Sequence, residues 1–551
     1  MRKPNILHIF TDQQRWDTVH ALGNPVIRTP NLDRIANEGV AFNNTFTPSP
    51  VCVAARAAMI YGQYPYHTGC YENTVMPTDG RSSFMGALTE AGYRTHGIGK
   101  CHFTPERYAL RGFQSREVQE EGGVRADQLE RNHYLRALLE RGYTHVMEPY
   151  GSRSEMYYMP QISQLPPADH PTQWVADRAL AFIRGQADAA PRYSAETAPP
   201  DATARHVSGP PVSDQPWYLY TSFIHPHPPF SPPAPWHKLY RTPATPLPKV
   251  PHDHEALLTL INRVQNRYKY RDQGTDLHVA RTIIGYYYAC VSFVDYQVGR
   301  LLDALQATGQ LDDTLVLFTS DHGELLGDYG SYGKRSMHDS AARVPLLARL
   351  PGRFEGGRTV SQATSLVDLA PTFLAAAGAG VTSHELDGVD LAEVASGNME
   401  REYVFSQLSI DRTPFHRSVT VDTDPVKRDY NGDEWRARYS SYMAVSKDAK
   451  YVYSAPDDRE FFFDRVGDPA ETRNRAGVEF YAAKKDRAKQ GLLNELVATG
   501  ETAGIEQGGP GEPHEWRRFP RIEVNPDPDF GLLTQDGYTP WADVELPGYV
   551  E

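Results

Sequence analysis

Residues 4–14 read PNILHIFTDQQ and residues 29–42 read TPNLDRIANEGVAF. In the first stretch, Ile6 to Phe10 is a short run of branched and aromatic residues that gives way to Thr11, Asp12 and Gln13. That is the pattern of a buried strand with polar residues just past its end. In the second, Thr29 supplies an N-cap and Pro30 a first-turn proline. Leu32, Ile35 and Ala36 then follow at helical spacing, and Gly39 can close the helix. Val40 to Phe42 restarts a strand. Strand, helix and strand in this order predict an α/β fold.

The same rhythm extends outward. Phe84, Leu88 and Ala91 give a helical pattern leading into THGIGKCHF, and Trp217 to Phe223 is a strand that Pro226 should stop, leaving His225 and His227 beyond its end. Val291, Val294, Val298, Leu301 and Leu305 mark a long amphipathic helix feeding the strand Leu315 to Phe318. With a helix around Leu366 to Ala377, residues 1–380 read as one α/β catalytic domain. Within it, residues 186–216 are Ala/Pro/Ser-rich and read as a flexible surface insertion. Tyr403 to Phe405, Ser441 to Val445, Tyr451 to Tyr453 and Glu460 to Phe463 are strands with few helices between them. They predict a small antiparallel C-terminal sheet packed with a helix, over residues 381–507. Residues 508–551 are Pro/Gly-rich yet carry Trp516, Phe519, Phe530, Tyr538, Trp541 and Tyr549. Such an arm suits wrapping a neighbouring surface, so a homo-oligomer is expected.

A formal charge of −13 over 551 residues argues against nucleic acid or an anionic membrane as the main partner. The four cysteines, Cys52, Cys70, Cys101 and Cys290, are too scattered for a disulfide framework and suit a reducing compartment. The N-terminal apolar run stops at Asp12, too short for a signal sequence, and no stretch reaches membrane-spanning length. A cytoplasmic protein without membrane partners is the expectation.

Several strands thus end in polar clusters: Asp12 and Gln13, Lys100 and His102, His225 and His227, Asp321 and His322. In an open α/β sheet the ligand crevice lies at the carboxyl ends of the strands, so these clusters can converge. Asp12, Gln13, Asp321 and His322 suit one divalent cation, Ca2+ or Mg2+ by their oxygens and Mn2+ by the imidazole. Singly, each aspartate could instead cap a turn. Lys100 can stabilise an anion and His102 can move a proton. By composition alone His225 and His227 could be rim residues, and Lys334 a surface lysine. Cys52 stands where a helix could begin, with Arg56 one turn on. A thiol there can become reactive beside an anion site, or it can simply be a buried cysteine.

In this order the residues resemble the type I sulfatases of the alkaline phosphatase superfamily. The resemblance runs through PNILHIFTDQQ, TPNLDRIANEGVAF, CVAARAAMIYGQYPYHTG, GYRTHGIGKCHF, HPHPPF and TSDHGELLGDYGSYGKRSMHDSAARVPLL to FFFDRVGDPAETRNRAG. It implies an alkaline phosphatase-like core: a large mixed, mostly parallel sheet flanked by helices. It also implies a formylglycine, made from the cysteine of a Cys-x-Pro-x-Arg signature by a formylglycine-generating enzyme, whose hydrate is the nucleophile. Here that signature reads Cys52, Val53, Ala54, Ala55, Arg56, with alanine in place of proline. Gln13 stands where many members have a second aspartate, and His322 where some have asparagine.

The implied ligands of one divalent metal, Ca2+ first and Mn2+ second, are Asp12, Gln13, Asp321, His322 and the modified Cys52. Arg56 would orient residue 52, Lys100 and Lys334 would bind the transferring group, His227 with Lys334 would protonate the leaving oxygen, and His102 would take a proton from the second hydroxyl. His225 carries no implied role. The activity implied is hydrolysis of small sulfate monoesters, such as aryl sulfates, releasing inorganic sulfate. Phosphonate monoester or phosphodiester hydrolysis at the same site is the second reading, and an anion-binding protein that keeps its thiol the third.

Overall fold

The computed structural model describes residues 3–121, 129, 131–153, 157–185, 193–194, 215–268, 276–380, 384–410, 420–423, 431–509 and 511–525. The main sheet contains β1 (Asn5–Asp12), β2 (Val40–Phe46), β3 (Arg94–Gly99), β4 (Ser115–Val118), β5 (Tyr193–Ser194), β6 (Trp217–Pro226), β7 (Thr314–Ser320), β8 (Arg343–Arg349), β9 (Arg358–Val360) and β10 (Thr364–Ser365). Their order is β10-β2-β8-β7-β1-β6-β3-β4-β5, with β9 also paired to β2. From β7 through β1, β6 and β3 to β4 the strands are parallel, while β8 runs antiparallel to both β7 and β2. The sheet is therefore mixed and mostly parallel, as expected.

β1 lies at its centre because both of its faces are apolar and both are covered. Leu7 and Ile9 pack with Leu32, Val175, Val298 and Leu301 from the helices Pro30–Glu38, Pro171–Ile183 and Leu277–Ala307. Ile6 and Phe10 face the other way, in a cluster with Phe84, Leu369 and Phe373 from the helices Phe84–Glu90 and Leu369–Ala377. Alternation at period two thus becomes two cores on opposite faces of one sheet. His8 shares the second face, with Nδ1 2.9 Å from the Tyr218 hydroxyl, and burial, helped by Arg56, pushes it down to about 3.

β6 continues three residues beyond the expected end at Phe223. β1 shifts register between Thr11 and Asp12 and pairs Asp12 with Pro226, so the ladder reaches the proline that was expected to stop it. The helix expected from Leu366 begins as a 3-10 turn, Leu366–Asp368, closed by a Ser365/Asp368 capping box, and turns α-helical at Leu369.

The C-terminal part forms an antiparallel sheet in the order Val404–Ser409, Ser440–Val445, Ala449–Ser454, Arg459–Asp464. Tyr442, Tyr451 and Phe462 on one face pack against Leu492, Leu493 and Leu496 of the helix Ala482–Ala498. Met443, Val452, Phe461 and Phe463 on the other face join the same core as Ile6 and Phe10. The small sheet therefore shares the main domain's core. Trp516 and Phe519 of the arm close the helix side, with the Trp516 indole donating to the Tyr451 hydroxyl at 2.7 Å. This much of the arm lies on its own chain. Phe530, Tyr538, Trp541 and Tyr549 lie outside the described residues, as does the insertion apart from 193–194 and 215–216.

Candidate active site

Asp12 is the last residue of β1, and Asp321 follows the last residue of the adjacent β7, so two carboxylates meet at the carboxyl edge of the sheet. The turn after β1 is fixed by backbone bonding. Gln13 takes a left-handed conformation (φ 66°), and its N–H donates to Asp321 Oδ1 at 3.0 Å, as does the His322 N–H at 2.9 Å. A left-handed non-glycine residue costs energy, and here it sits in the turn that joins Asp12 to Asp321 through the Gln13 N–H.

Cys52 opens the helix Cys52–Tyr61 after the extended Val51 (φ −153°, ψ 141°). Its Sγ lies 3.2 Å from His322 Nε2 and 3.7 Å from Asp12 Oδ1, and accepts from Lys334 Nζ at 2.7 Å. Ligand atoms of Asp12, Cys52, Asp321 and His322 all lie within 4.8 Å of one another, and all four residues are buried.

Arg56 is the support beneath this cluster. It donates through Nε to Asp321 Oδ2 (3.0 Å), through Nη2 to Asp12 Oδ2 (3.1 Å), and through Nη1 to the Lys100 carbonyl (2.8 Å) and the Tyr220 hydroxyl (3.1 Å). Its planar fork reaches the two carboxylates and the carbonyl from three separate nitrogens in fixed directions, a spread that the single nitrogen of a lysine does not reproduce.

Lys100, just past β3, places Nζ 2.6 Å from Asp12 Oδ2. His227, past β6, has Nδ1 2.7 Å from the Pro228 carbonyl and Nε2 3.4 Å from Lys334 Nζ. An N–H on Nδ1 leaves the Nε2 lone pair facing the ammonium. His102 stands further out. It is half-buried in a left-handed conformation (φ 54°), its backbone N–H is held by Glu120 Oε1 at 3.0 Å, and its Nδ1 has no hydrogen-bond partner among the described residues. His225 points elsewhere: Nδ1 lies 3.1 Å from the Thr172 hydroxyl and the ring packs on His170, an interior contact.

Charge is distributed unevenly. Burial alone would raise Asp12, but Lys100, His227, Lys334 and Arg56 together hold it well below the usual carboxylate range. Asp321 is pushed upward by burial and by the Asp12 charge, because like charges in one dry site cannot both ionise freely. Burial and Asp12 also push the Cys52 thiol up to about 12, outweighing Lys334 and Lys100. Of the two readings left open for the unmodified Cys52, a reactive thiol or a buried cysteine, the surroundings favour the second. Desolvation and two carboxylates exceed the helix end and the ammonium, so the unmodified sulfur is a poor nucleophile.

The family model described as Sulfatase matches residues 4–379. The chain belongs to the sulfatase family. An arylsulfatase of Clostridium perfringens (strain 13 / Type A) is 27% identical over 539 residues, covering 90% of this chain and 94% of that protein. A choline-sulfatase of Rhizobium meliloti (strain 1021) is 30% identical over 491 residues, covering 86% and 82%. Among solved structures, the phosphonate monoester hydrolase of Agrobacterium radiobacter aligns with a TM-score of 0.72 at 23% identity, covering 94% of this chain and all of that one. That last likeness bears on the fold.

In this sulfatase the donor set fits a hard divalent cation. Two buried carboxylates repel each other, and the Gln13 amide, whose Nε2 donates to Glu324, leaves Oε1 buried without a hydrogen-bond partner among the described residues. An unpaired oxygen beside competing carboxylates is the arrangement that a cation would satisfy. Other residues escaped the sequence reading. Glu324 follows DHG directly and fixes Gln13, while Glu121 ends QEE after β4 and lies 3.2 Å from Lys100 Nζ and 3.4 Å from His227 Nδ1. Glu121 was one more strand-end polar cluster, hidden within a charged stretch. Among the described residues, no helix is long and apolar enough to cross a membrane.

Proposed function

We propose that this chain hydrolyses sulfate monoesters, with an aryl sulfate as assay substrate, through a formylglycine made from Cys52. The observation that carries this reading is the position of the residue 52 side chain, between the ligand cluster and Lys334 Nζ at 2.7 Å. The Cys52 sulfur stands in for an oxygen of the hydrated aldehyde. A hydrated aldehyde supplies what the thiol here cannot: a hard oxygen nucleophile and a second hydroxyl, so the bond to the enzyme can break without water attacking sulfur.

A divalent cation held by Asp12, Gln13, Asp321 and His322, Ca2+ first and Mn2+ second, would polarise an ester oxygen and favour the ionised nucleophile. Arg56 keeps the two carboxylates and the Lys100 carbonyl in register. Lys100 and Lys334 offer ammonium groups to the transferring group as charge redistributes over its oxygens. Lys334, whose proton points toward His227 Nε2 at 3.4 Å, forms with it the pair that hands a proton to the leaving oxygen. Burial pushes His227 down to about 3, so Lys334 carries that proton at rest. His102, from further out, takes the proton of the second hydroxyl. Because Cys52 is 1% exposed, the generating enzyme would have to act before the fold closes.

Purified protein should be assayed on an aryl sulfate, an aryl phosphonate monoester and an aryl phosphodiester. The highest kcat/KM on the sulfate is expected. A kcat/KM far higher on the phosphonate would replace this reading with phosphonate monoester hydrolysis, for which the histidine in the ligand set, His322, is the favouring feature.

A further inference from the structure

We propose that Glu121 sets the charge of the ester this site accepts, favouring monoanionic over dianionic transferring groups. The inference rests on the sulfatase reading above and adds a specificity determinant to it. A sulfate monoester and a phosphate monoester are both tetrahedral and close in size. They differ in charge: one negative charge against two once the phosphate is fully ionised. Shape discriminates weakly between them, so selection falls to the electrostatics of the pocket.

Those electrostatics are set by which cations are already paired. Arg56 is shared between Asp12 and Asp321. Lys100 sits between Asp12 at 2.6 Å and Glu121 at 3.2 Å. His227 faces Glu121 Oε2 at 3.4 Å, and Arg153 reaches the same oxygen at 3.5 Å. Among the described residues Lys334 makes no ion pair with a carboxylate, its Nζ being directed at Cys52 and His227. Glu121 therefore offsets the charge of Lys100, which would face the transferring group, and places a negative charge beside the neutral His227, without being a metal ligand itself. Its side chain is 18% exposed, so water screens it little. The surrounding cations hold it ionised against the cost of burial. Arg153, 3.5 Å from Glu121 Oε2 and with its guanidinium 5.4 Å from the Tyr157 ring, offsets part of that negative charge.

Two substitutions of opposite sign test this. Glu121→Gln removes the negative charge and keeps the shape, while Arg153→Gln removes the compensating positive charge. Each is assayed with 4-nitrophenyl sulfate, 4-nitrophenyl phosphate and a 4-nitrophenyl phosphonate monoester at about pH 8, where the phosphate is a dianion and the other two are monoanions. Where the phosphate binds without turnover, its Ki replaces kcat/KM.

The phosphate-to-sulfate ratio should rise at least about ten-fold in Glu121→Gln and fall in Arg153→Gln, the least expected for one unit charge within about 12 Å at an effective dielectric of about 20. The phosphonate-to-sulfate ratio should stay fixed in both. Equal losses on all three substrates, or shifts of the same sign in both variants, would overturn the proposal and leave Glu121 a purely structural partner of Lys100. If Glu121→Gln does not fold, the sign of the Arg153→Gln shift decides alone. Wild-type protein without sulfate turnover would instead remove the sulfatase reading, a failure seen before any variant is made.

Discussion

Lys450 offers a demanding test, because it ties the small sheet to the segment that carries Lys334. Its ammonium is fully buried, 2.5 Å from Glu471 Oε1, paired with Asp339, and donating to the Met337 carbonyl at 2.9 Å. Asp339 keeps Arg465 at 2.9 Å and Arg343 at 3.2 Å, whereas Glu471 would be left with His338 at 3.2 Å and the Asp339 N–H at 2.8 Å. At 2.5 Å and an effective dielectric of about 20 the gross attraction to Glu471 is roughly 6–7 kcal/mol. Desolvation offsets most of it, so removing one partner should cost about 3–5 kcal/mol, chiefly the penalty of a buried unpaired carboxylate.

Lys450→Met should therefore lower the unfolding free energy by that amount, read as a lower denaturant midpoint. Without Lys450, the chief group holding it down, Glu471 would have a folded pKa above its unfolded value. The variant's deficit should thus grow as pH rises above about 4.3. Adding Glu471→Gln should recover about 1.5–3 kcal/mol. Because Met337 and Asp339 lie just beyond Lys334, kcat should also fall at least ~10-fold through misplacement of the ammonium. Chemical denaturation at two pH values and steady-state kinetics measure both. A single variant within about 1 kcal/mol of wild type with kcat unchanged, or a double variant whose cost is the sum of the singles, would refute the reasoning.

Arg56→Lys should fold but lose about 10²-fold or more in kcat/KM, because Asp12, Asp321 and the Lys100 carbonyl are each met by a different guanidinium nitrogen, and a single ammonium nitrogen would have to draw them out of position. Circular dichroism and kinetics separate the two effects. Dialysis against a chelator should abolish turnover and lower the melting temperature, with both restored by Ca2+ or Mn2+ at about one equivalent per chain by elemental analysis. His8, pushed down to about 3, and His225, pushed down to about 4, are buried as neutral rings, so stability is full above the unfolded value near 6.5 and declines as pH falls toward their folded values. His8→Phe should flatten the stability slope between about pH 6.5 and 4 in denaturant titrations.

Much of the fold was legible because its signals are local. The short apolar run at Ile6 to Phe10 and the capped helix after Thr29 state their own structure, and both appear in the fold. The polar residues past β1, β3, β6 and β7 were visible as strand ends, and Asp12, Lys100, His227 and Asp321 do meet. What sequence could not show depends on pairing between distant segments. The register shift at Asp12 carries β6 through Pro226, and only tertiary packing turns His225 inward while His227 faces Lys334. Glu121 and Glu324 matter through what they touch, so neither stood out among ordinary acidic residues. The two readings of the thiol stayed open for the same reason: a helix start is readable, but the desolvation and the two carboxylates around Cys52 are not.

The most direct test of the account is the mass of the peptide containing residue 52, measured on the preparation used for turnover. Conversion of the –CH2–SH side chain to an aldehyde removes roughly 18 Da, whereas climbing the sulfur oxidation ladder adds oxygen. The account predicts that the aldehyde mass is present, that aryl sulfatase activity scales with its fraction across preparations, and that Cys52→Ala abolishes both. Full activity from protein whose residue 52 is entirely thiol, or from Cys52→Ala, would contradict it.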